Sequence, residues 1–299
     1  MNVNKWDSKN ISDQTGKTAI ITGSNSGIGL ETAKVLAGKN ATIIMAVRNL
    51  DKGQAALDTI KGQYPTSKVI AMKLNLATLS SVKAFVDKFK ETHSRLDLLI
   101  NNAGVMVPPY QKTADGFELQ MGTNHLGPFA LTGMLMDLIK KTPCSRIVNV
   151  SSIAHKGGNI DFDDIHWEKR KYKKWSAYGD SKIANLYFTY ALQKRLNNEN
   201  SNVIVTAAHP GWTATDLQRH SGLFSRLNPL FAQTIPMGAL PTLYAATAPD
   251  VRGKDFFGPS GFMEIKGYPK KVQSNSRSKS PDLTEKLWKI SEKLTNVTF

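Results

Sequence analysis

The amino-acid sequence predicts an α/β protein built on one doubly wound, parallel β-sheet with helices on both of its faces. Three observations support this fold class: apolar runs alternate with longer helical patterns, the apolar runs are continuous, and no linker of different composition interrupts them. Continuous apolar runs are typical of parallel strands that are buried on both faces. Strands that alternate with helices are typical of a doubly wound sheet. We therefore expect a single domain.

About seven strands are expected, because seven runs rich in Ile, Val and Ala are bounded by turn residues. They cover residues 17–22, 41–47, 68–74, 96–101, 146–151, 203–208 and the less apolar 258–264. Helical patterns fill the intervals between these strands. They cover residues 27–38, 51–62, 80–93, 115–140 and 177–198.

The two ends of the chain differ from this alternating pattern. Residues 1–15 are expected to form an N-terminal extension to the α/β domain, which covers residues 16–266. Residues 267–299 are polar and basic, with a short amphipathic helical pattern over 282–294. Because such a composition disfavours burial, this tail is expected to lie on the surface or to be partly disordered.

The composition limits the classes of function. No apolar run reaches the ~18 residues that a membrane span requires, and residues 1–15 lack the apolar core of a signal peptide. A cytoplasmic protein is therefore expected. The formal net charge of +15 is compatible with nucleic acid, an acidic membrane surface or anionic ligands, and it does not choose between them. The only cysteine, Cys144, is expected to be an inert thiol.

A glycine-rich turn follows the first predicted strand and precedes the first predicted helix. Its residues are Gly23, Ser24, Asn25, Ser26, Gly27, Ile28 and Gly29. Glycines allow a tight turn, a close approach of the backbone to a pyrophosphate, and close packing of the helix on the strand. The helix N-terminus offers free N–H groups and a partial positive charge to phosphates. This position in the chain favours a dinucleotide site over an ordinary turn.

The end of the second predicted strand indicates which dinucleotide binds. NAD sites place an acidic residue there for the ribose hydroxyls, whereas this chain has Arg48 followed by Asn49. A guanidinium can hold a 2′-phosphate in a charge-assisted pair, and Lys52 is a further contributor. We therefore expect NADP, with NAD as the second choice. In the alternative interpretation, Arg48 stacks on the adenine or points into solvent.

Tyr178 and Lys182 are four residues apart in a helical pattern, so their side chains emerge on one face. A free tyrosine has a pKa near ~10, and lowering it to about 7 costs roughly 4 kcal/mol. A neighbouring ammonium lowers a pKa by about 1 to 3 units, and the positive ring of an oxidised nicotinamide would supply the rest. Ser151 and Ser152 lie at the end of the fifth predicted strand and are expected at the sheet edge that carries the glycine-rich turn. A hydroxyl there can donate to a substrate carbonyl.

Together these motifs resemble those of the short-chain dehydrogenase/reductase family, whose members have a Rossmann fold. The resemblance extends over nearly the whole chain. The residues that carry it are 22–29, 101–104, the set Ser152, Tyr178 and Lys182, and the pair Pro210 and Gly211. Because four motifs occur in the right order, the resemblance is specific.

The resemblance implies a role for each candidate catalytic residue. Tyr178 would be the general acid/base, and Ser152 would orient and polarise the carbonyl. Lys182 would bind the nicotinamide ribose and lower the pKa of Tyr178. Asn124 matches the asparagine that holds a water in the proton relay of the family.

Further cofactor contacts are implied at the adenosine end. Asn102, Ala103 and Gly104 would steady the central sheet and contact the adenosine ribose. Asn75, followed by Leu76, stands where the family often has an aspartate that contacts adenine. An amide there implies weaker selectivity for that base.

At the nicotinamide end, the resemblance implies a second group of cofactor contacts. Residues after the sixth strand would close over the nicotinamide and the pyrophosphate. These residues are Pro210, Gly211, Thr213 and Thr215.

Residues 46–53, 151–155 and 178–187, with a long insert between Ser152 and Tyr178, are similar to the retinol dehydrogenase-like branch. Substrates of that branch include retinoids, steroids and other lipophilic carbonyl compounds. The resemblance therefore implies a small-molecule carbonyl or alcohol substrate. The part of the insert at 166–175 is basic and aromatic, and it is interpreted as a solvated loop that helps to line the substrate entrance.

Other interpretations of the sequence remain open. A nucleotide-sensing binding protein on the same fold, or a nucleic-acid-binding protein that uses the basic surface, are the alternatives to an enzyme. No specific nucleic acid and at most peripheral membrane association are expected. A homodimer is implied only by resemblance. No metal is expected, because His155, His209 and His220 lack the spacing of a metal site.

Overall fold

A computed structural model describes residues 5–213 and 232–299 of the chain. It contains one eight-stranded sheet with the strand order β3-β2-β1-β4-β5-β6-β7-β8. The strands are β1 (Thr18–Thr22), β2 (Thr42–Val47), β3 (Val69–Lys73), β4 (Leu98–Asn101), β5 (Arg146–Val150), β6 (Ile204–Ala208), β7 (Phe256–Pro259) and β8 (Pro269–Lys271). All neighbouring strands are parallel except β7 and β8, which are antiparallel.

The helices lie between the strands in the predicted alternation. They are α1 (Gly27–Ala37), α2 (Leu50–Gln63), α3 (Leu79–Thr92), α4 (Leu119–Met121), α5 (Gly127–Lys141), α6 (Lys174–Asn198), α7 (Ile235–Thr247) and α8 (Pro281–Thr295). A π-helical segment, Gly122–Leu126, connects α4 to α5. The fold class is confirmed, and the sheet has eight strands where about seven were expected.

The central strands are buried on both faces, which explains their continuous apolar runs. Ile20 and Ile21 in β1 are both fully buried and belong to the two opposite core layers. One layer packs against α1, α2 and α7, and the other packs against α3, α5 and α6. Because successive strand residues point to opposite faces, both positions must be apolar. Each such side chain contributes about 1.5–3 kcal/mol by its burial.

Three elements differ from the predictions. The helix expected over 115–140 begins only at Leu119, because the buried carboxylate of Glu118 caps it by accepting hydrogen bonds from two backbone N–H groups. The last predicted strand lies earlier in the sequence, as β7. Helix α7 was not predicted; it contains two prolines, of which one lies in the first turn, where no intrahelical donor is needed, and Pro241 lies inside the helix.

The C-terminal segment is not the loose surface tail that its composition suggested. Strand β8 extends the sheet, and helix α8 packs on the outer side of the α5–α6 layer. Trp288 is buried, with its ring 5.2 Å from Phe129 and 6.0 Å from Phe188. Arg195 stacks on Trp288 and pairs with Glu285 at 2.8 Å. A hydrophobic stripe with a charged pair at its edge therefore holds the helix in place.

Part of the insert between Ser152 and Tyr178, including Trp167 of its basic part, is also packed rather than solvated. Ile160, Ile165 and Trp167 are buried. The guanidinium of Arg170 lies 3.7 Å above the Trp167 ring and 3.4 Å from Asp164. In the part of the chain that the structure covers, no helix has the length and apolar character to span a membrane.

We predict that Trp288→Ala lowers the free energy of unfolding by about 3–5 kcal/mol, because it leaves a cavity between α8 and the α5–α6 layer. Urea unfolding followed by circular dichroism measures this change. The control is Lys289→Ala on the same helix, where the side chain is exposed and a change within about 0.5 kcal/mol is expected. Equal small effects of both substitutions would contradict the packing of α8.

Candidate active site

The carboxyl ends of the parallel strands meet at one edge of the sheet, and the candidate site lies there. The strand order reverses between β1 and β4, which leaves a crevice at the switch point. Gly23 follows β1, Asn102 follows β4, and Ser151 follows β5. The sheet topology therefore brings together motifs that are more than a hundred residues apart in sequence.

The glycine-rich turn has the backbone conformation that glycine allows. Gly23 and Gly27 have φ angles of 66° and 56°, which are unfavourable for other residues. A Cβ atom on Gly29 would lie 2.5 Å from the Gly23 carbonyl oxygen and from Asn102 Nδ2. Ser26 precedes α1 without capping it through its side chain. The first N–H groups of α1 therefore have no side-chain acceptor from Ser26.

Side chains of the turn serve partly internal purposes. The hydroxyl of Ser24 is buried and donates to Ile21 O at 2.9 Å. Ile28 packs against the core. Asn25 and Ser26 are half-buried. The turn is thus a rigid backbone cradle, held to the strand by Ser24 and to the core by Ile28.

Thr22 fastens the glycine-rich turn to the loop after β4. Its Oγ1 accepts hydrogen bonds from the backbone N–H groups of Asn102 and Ala103 at 3.0 and 2.9 Å. In return, Asn102 Nδ2 donates to Thr22 O at 2.9 Å. Ala103 then lies against Gly23, where a Cβ atom would approach the alanine Cβ to 2.9 Å. The side chain of Asn102 therefore braces the sheet, and Gly104 continues the crevice.

The residues expected at the adenosine end differ in what their side chains do. Arg48 is exposed at the end of β2, and within residues 5–213 and 232–299 it forms no ion pair. Asn49 Oδ1 accepts from Lys52 N at 2.8 Å and so caps α2. Asn75 Oδ1 accepts from Ala77 N at 3.2 Å, so this side chain is hydrogen-bonded within its own loop. The side chain of Leu76 is buried.

Helix α6 places Tyr178 and Lys182 beside Ser152. Tyr178 and Lys182 are only 4% and 3% exposed, and the Lys182 Nζ lies 5.7 Å from the centroid of the tyrosine ring. Burial raises the pKa of Tyr178 to about 12, and a hydrogen bond with Ser152 opposes this effect. Burial lowers the pKa of Lys182 to about 8. In the chain alone, burial therefore outweighs any lowering of the Tyr178 pKa by Lys182.

The end of β5 holds the middle of α6 through hydrogen bonds. Val150 O accepts from Lys182 Nζ at 3.2 Å and from Asn185 Nδ2 at 3.0 Å. Ser151 Oγ donates to Lys182 O at 2.7 Å. These contacts fix the helix against the strand edge. They engage one of the three ammonium protons of Lys182.

Asn124 lies in the π-helical segment, a rare element that often marks functional sites. Its side chain accepts from Val105 N at 2.7 Å and donates to Val105 O and Ser181 Oγ, both at 2.9 Å. A Cβ atom on Gly104 would lie 3.0 Å from Asn124 Oδ1 and 3.4 Å from Lys182 Nζ. Asn124 and Lys182 therefore meet at Gly104.

The loop after β6 forms the wall opposite α6. Pro210 O accepts from Thr213 Oγ1 at 2.9 Å and from Gln233 Nε2 at 2.6 Å. Gly211 has a φ angle of 64°, and its backbone packs against the residues that follow β7. Thr215, the last residue expected in this wall, lies outside the described residues.

The buried His209 stabilises this wall. Its Nε2 lies 3.0 Å from Glu264 Oε2, and its Nδ1 accepts from Gly211 N at 3.2 Å. Burial lowers the pKa of His209, with the contact to Glu264 opposing it. These contacts fit a neutral imidazole that donates from Nε2. Among the described residues, no group of three or more His, Cys, Asp or Glu side chains could hold a metal ion.

Some residues of the site were not predicted from the sequence. Ser181 and Asn185 lie on the same face of α6 as Tyr178, three and seven residues further on, and this helical spacing was a usable signal. Gln233 and Glu264 come from distant segments. Nothing in the sequence near them indicates their contacts with Pro210 and His209.

A cleft of about 490 Å³ opens beside Tyr178. Pro108 and Pro109 line one side, and residues 172–176 line the other. The ring of Trp175 lies 6.4 Å from that of Tyr178 and is 41% exposed. Trp175 therefore lies between the cleft and the tyrosine, and the cleft lining combines two prolines and two aromatic rings with Lys173, Lys174 and Ser176.

Comparisons with known proteins agree with this architecture. The family model described as short chain dehydrogenase matches residues 17–224. Human retinol dehydrogenase 13 is 45% identical over 255 residues, which cover 81% of this chain and 76% of that protein. Mouse retinol dehydrogenase 12 is 40% identical over 290 residues, covering 95% and 88%. The crystal structure of an uncharacterized protein from Mycobacterium paratuberculosis has a TM-score of 0.84 at 41% identity and covers 98% of each chain.

We predict that Lys182→Met raises the free energy of unfolding at pH 7 by up to about 3 kcal/mol, because it removes a buried ammonium. The folded-state pKa of about 8 lies below the ordinary 10.5, so the unfolded chain binds more protons between these pH values. The stability of the wild type therefore rises through this window, and the difference between the two proteins shrinks.

Urea unfolding at pH 7 and at a pH between these two pKa values measures the effect. The matched control is Lys194→Met, whose side chain is exposed on the same helix. A pH-independent difference between wild type and Lys182→Met would contradict the lowered pKa of Lys182.

Proposed function

This chain belongs to the short-chain dehydrogenase family, and on that premise we propose that it interconverts an alcohol and a carbonyl compound by hydride transfer with a nicotinamide dinucleotide. The observation that carries the proposal is the meeting of Ser152, Tyr178 and Lys182 at the sheet edge that also holds the glycine-rich turn. A proton-transfer group beside a phosphate cradle is what such a reaction requires.

The glycine-rich turn fits a dinucleotide. The space beside Gly23 and Gly29 is so narrow that a Cβ atom would meet the loop after β4, so only glycine leaves the backbone open to a pyrophosphate. The α1 N-terminus supplies N–H donors, and Lys182 has ammonium protons left for ribose hydroxyls. Pro210, Gly211 and Thr213 would close the nicotinamide end.

NADP is the proposed cofactor, ahead of NAD. Arg48 is exposed at the end of β2, at the position where a carboxylate would select the ribose hydroxyls of NAD. Its guanidinium is therefore available to a 2′-phosphate. Because Asn49 and Asn75 use their side chains in local caps and turns, we assign this charge selection mainly to Arg48.

In the proposed mechanism, the bound dinucleotide supplies or accepts the hydride. Ser152 holds the carbonyl oxygen, and the Tyr178 hydroxyl gives its proton to that oxygen during reduction. With a pKa raised to about 12, Tyr178 is protonated at neutral pH, as a proton donor must be. In the direction of oxidation, Tyr178 must be a phenolate in order to take the proton back, and the nearby Lys182 ammonium favours that deprotonated state.

Asn124 is the proposed link to solvent in the proton relay. It meets Lys182 at Gly104, and its side chain is fixed by Val105 and Ser181. A water held beside Asn124 would then return a proton to Tyr178 by way of Lys182. The hydrogen bonds to Val105 and Ser181 fix the orientation of the Asn124 amide, so it can hold a water at a constant position.

A lipophilic small molecule is the proposed substrate. Two prolines and two aromatic rings line the cleft beside Tyr178, together with Lys173, Lys174 and Ser176, and several similar proteins are retinol dehydrogenases by name. We further propose a cytoplasmic location with at most peripheral contact to membranes, as the net charge of +15 would favour at an acidic surface. Homodimer formation is part of the same proposal.

We predict that the purified protein binds NADPH more tightly than NADH and that Arg48→Ala removes most of this preference. A charge-assisted pair with a phosphate contributes about 1.5–3 kcal/mol, which corresponds to a loss of about tenfold or more in NADPH affinity. Fluorescence titration with each dinucleotide measures the affinities. Lys61→Ala on α2 is the exposed basic control. Binding of neither dinucleotide would overturn the enzyme proposal, and equal binding of both would overturn the cofactor choice.

We predict that Tyr178→Phe lowers kcat by about 10²-fold or more while the affinity for NADPH changes little, because only the proton donor is lost. Steady-state reduction of an aldehyde, together with NADPH titration, separates the two effects. Tyr187→Phe, at a buried position on the same helix, is the control. A parallel loss of binding and turnover would contradict the acid/base role of Tyr178.

A further inference from the structure

The two walls of the cleft beside Tyr178 are tied together by one buried side chain, Gln120. Its amide is completely buried at the centre of α4. Gln120 Oε1 accepts from Val107 N at 2.9 Å, at the wall that continues into Pro108. Gln120 Nε2 donates to Tyr172 OH at 2.8 Å and to Lys174 O at 2.9 Å, both at the opposite wall.

Val107 shows that this tie acts on the backbone. Its φ angle is 47°, a conformation that is rare for any residue with a Cβ atom and especially unfavourable for a β-branched one. Such strain persists only where the surroundings impose it. Val107 is also buried, and it packs with Met106 against Tyr178. The hydrogen bond from Val107 N to Gln120 is therefore placed where it can hold a strained residue against the candidate acid/base.

Glu118 completes the attachment of the insert. Its carboxylate is 1% exposed, accepts two backbone N–H groups of α4, and accepts the Tyr172 hydroxyl proton at 2.8 Å. Tyr172 OH thus accepts from Gln120 and donates to Glu118. All donors and acceptors in this network have partners, so its geometry is well determined.

Resting on the proposed function, we propose that Gln120 is a positioning residue that determines substrate specificity by setting the width of the cleft. The cleft admits slender, mainly apolar carbonyl compounds, and it excludes compounds with bulky rings next to the carbonyl. The side-chain hydrogen bonds of Gln120 go to Val107, Tyr172 and Lys174. It acts through Val107 on one wall and through Tyr172 and Lys174 on the other.

Gln120→Met tests this role, because it keeps the side-chain length and removes the side-chain hydrogen bonds to both walls. Two probes with similar carbon numbers are compared, the linear n-decanal and the bulky 1-adamantanecarbaldehyde. We expect the ratio of their kcat/KM values to move toward one by about tenfold, mainly through KM, with kcat for n-decanal nearly unchanged. Gln63→Met, at an exposed position on α2, is the matched control. An unchanged ratio would overturn the specificity role.

Amide hydrogen exchange provides a measurement that does not depend on turnover. In Gln120→Met, peptides that cover residues 105–110 and 172–176 should exchange at least about tenfold faster, while those of the glycine-rich turn keep their wild-type rates. If wild type reduces no aldehyde, the proposed function fails, but this measurement still shows whether Gln120 links the two walls of the cleft. Unchanged exchange in both walls would overturn the tie itself.

Two further variants guard against simple misfolding of Gln120→Met. Tyr172→Phe removes one partner of the insert arm, so faster exchange should be confined to residues 172–176. Val107→Gly removes the backbone strain, so Gln120→Met should have a smaller effect on exchange of residues 105–110 in that background. Equal effects in both backgrounds would show that Gln120 does not act by holding Val107.

Discussion

The hydroxyl of Thr22 joins the two loops between which the candidate site lies. It is buried at the end of β1 and accepts two backbone N–H groups from the loop after β4. These strands are neighbours at the point where the strand order reverses. The close approach of Gly23 to Ala103 therefore depends on this pairing. A methyl group in place of the hydroxyl would leave two partly buried donors without this acceptor.

Helix α6 brings an unusual number of polar groups into the interior. Ser181, Lys182 and Asn185 are all buried, and each would destabilise the fold if it lacked a partner. Their partners are the end of β5 and the π-helical segment that carries Asn124. The same hydrogen bonds that make their burial tolerable also fix the direction in which Tyr178 points. Stability and site geometry thus depend on the same contacts.

The opposite side of the site depends on strain as well as on hydrogen bonds. Val107 has a left-handed backbone beside Tyr178, and Gln120 accepts its N–H group. The C-terminal helix adds support from behind, where Ser291 lies 2.8 Å from the Nε2 of His125 in the π-helical segment. Burial lowers the pKa of His125 to about 3, so this contact involves a neutral imidazole at physiological pH. Helix α8 and the π-helical segment, which are far apart in sequence, are therefore in contact beside the site.

The sequence by itself determined the fold class, the order of the strands and helices, and the positions of the glycine-rich turn and of the Tyr178–Lys182 pair. These features depend on periodicity and on spacings of a few residues, which are local and can be read directly. It did not indicate whether a polar loop side chain binds a ligand or caps a helix, as Asn49 does. Only the tertiary structure decided the docking of α8, the helix at 235–247 and the tie through Gln120. These depend on contacts such as the one between His125 and Ser291, 166 residues apart, which arise from packing rather than from any local pattern.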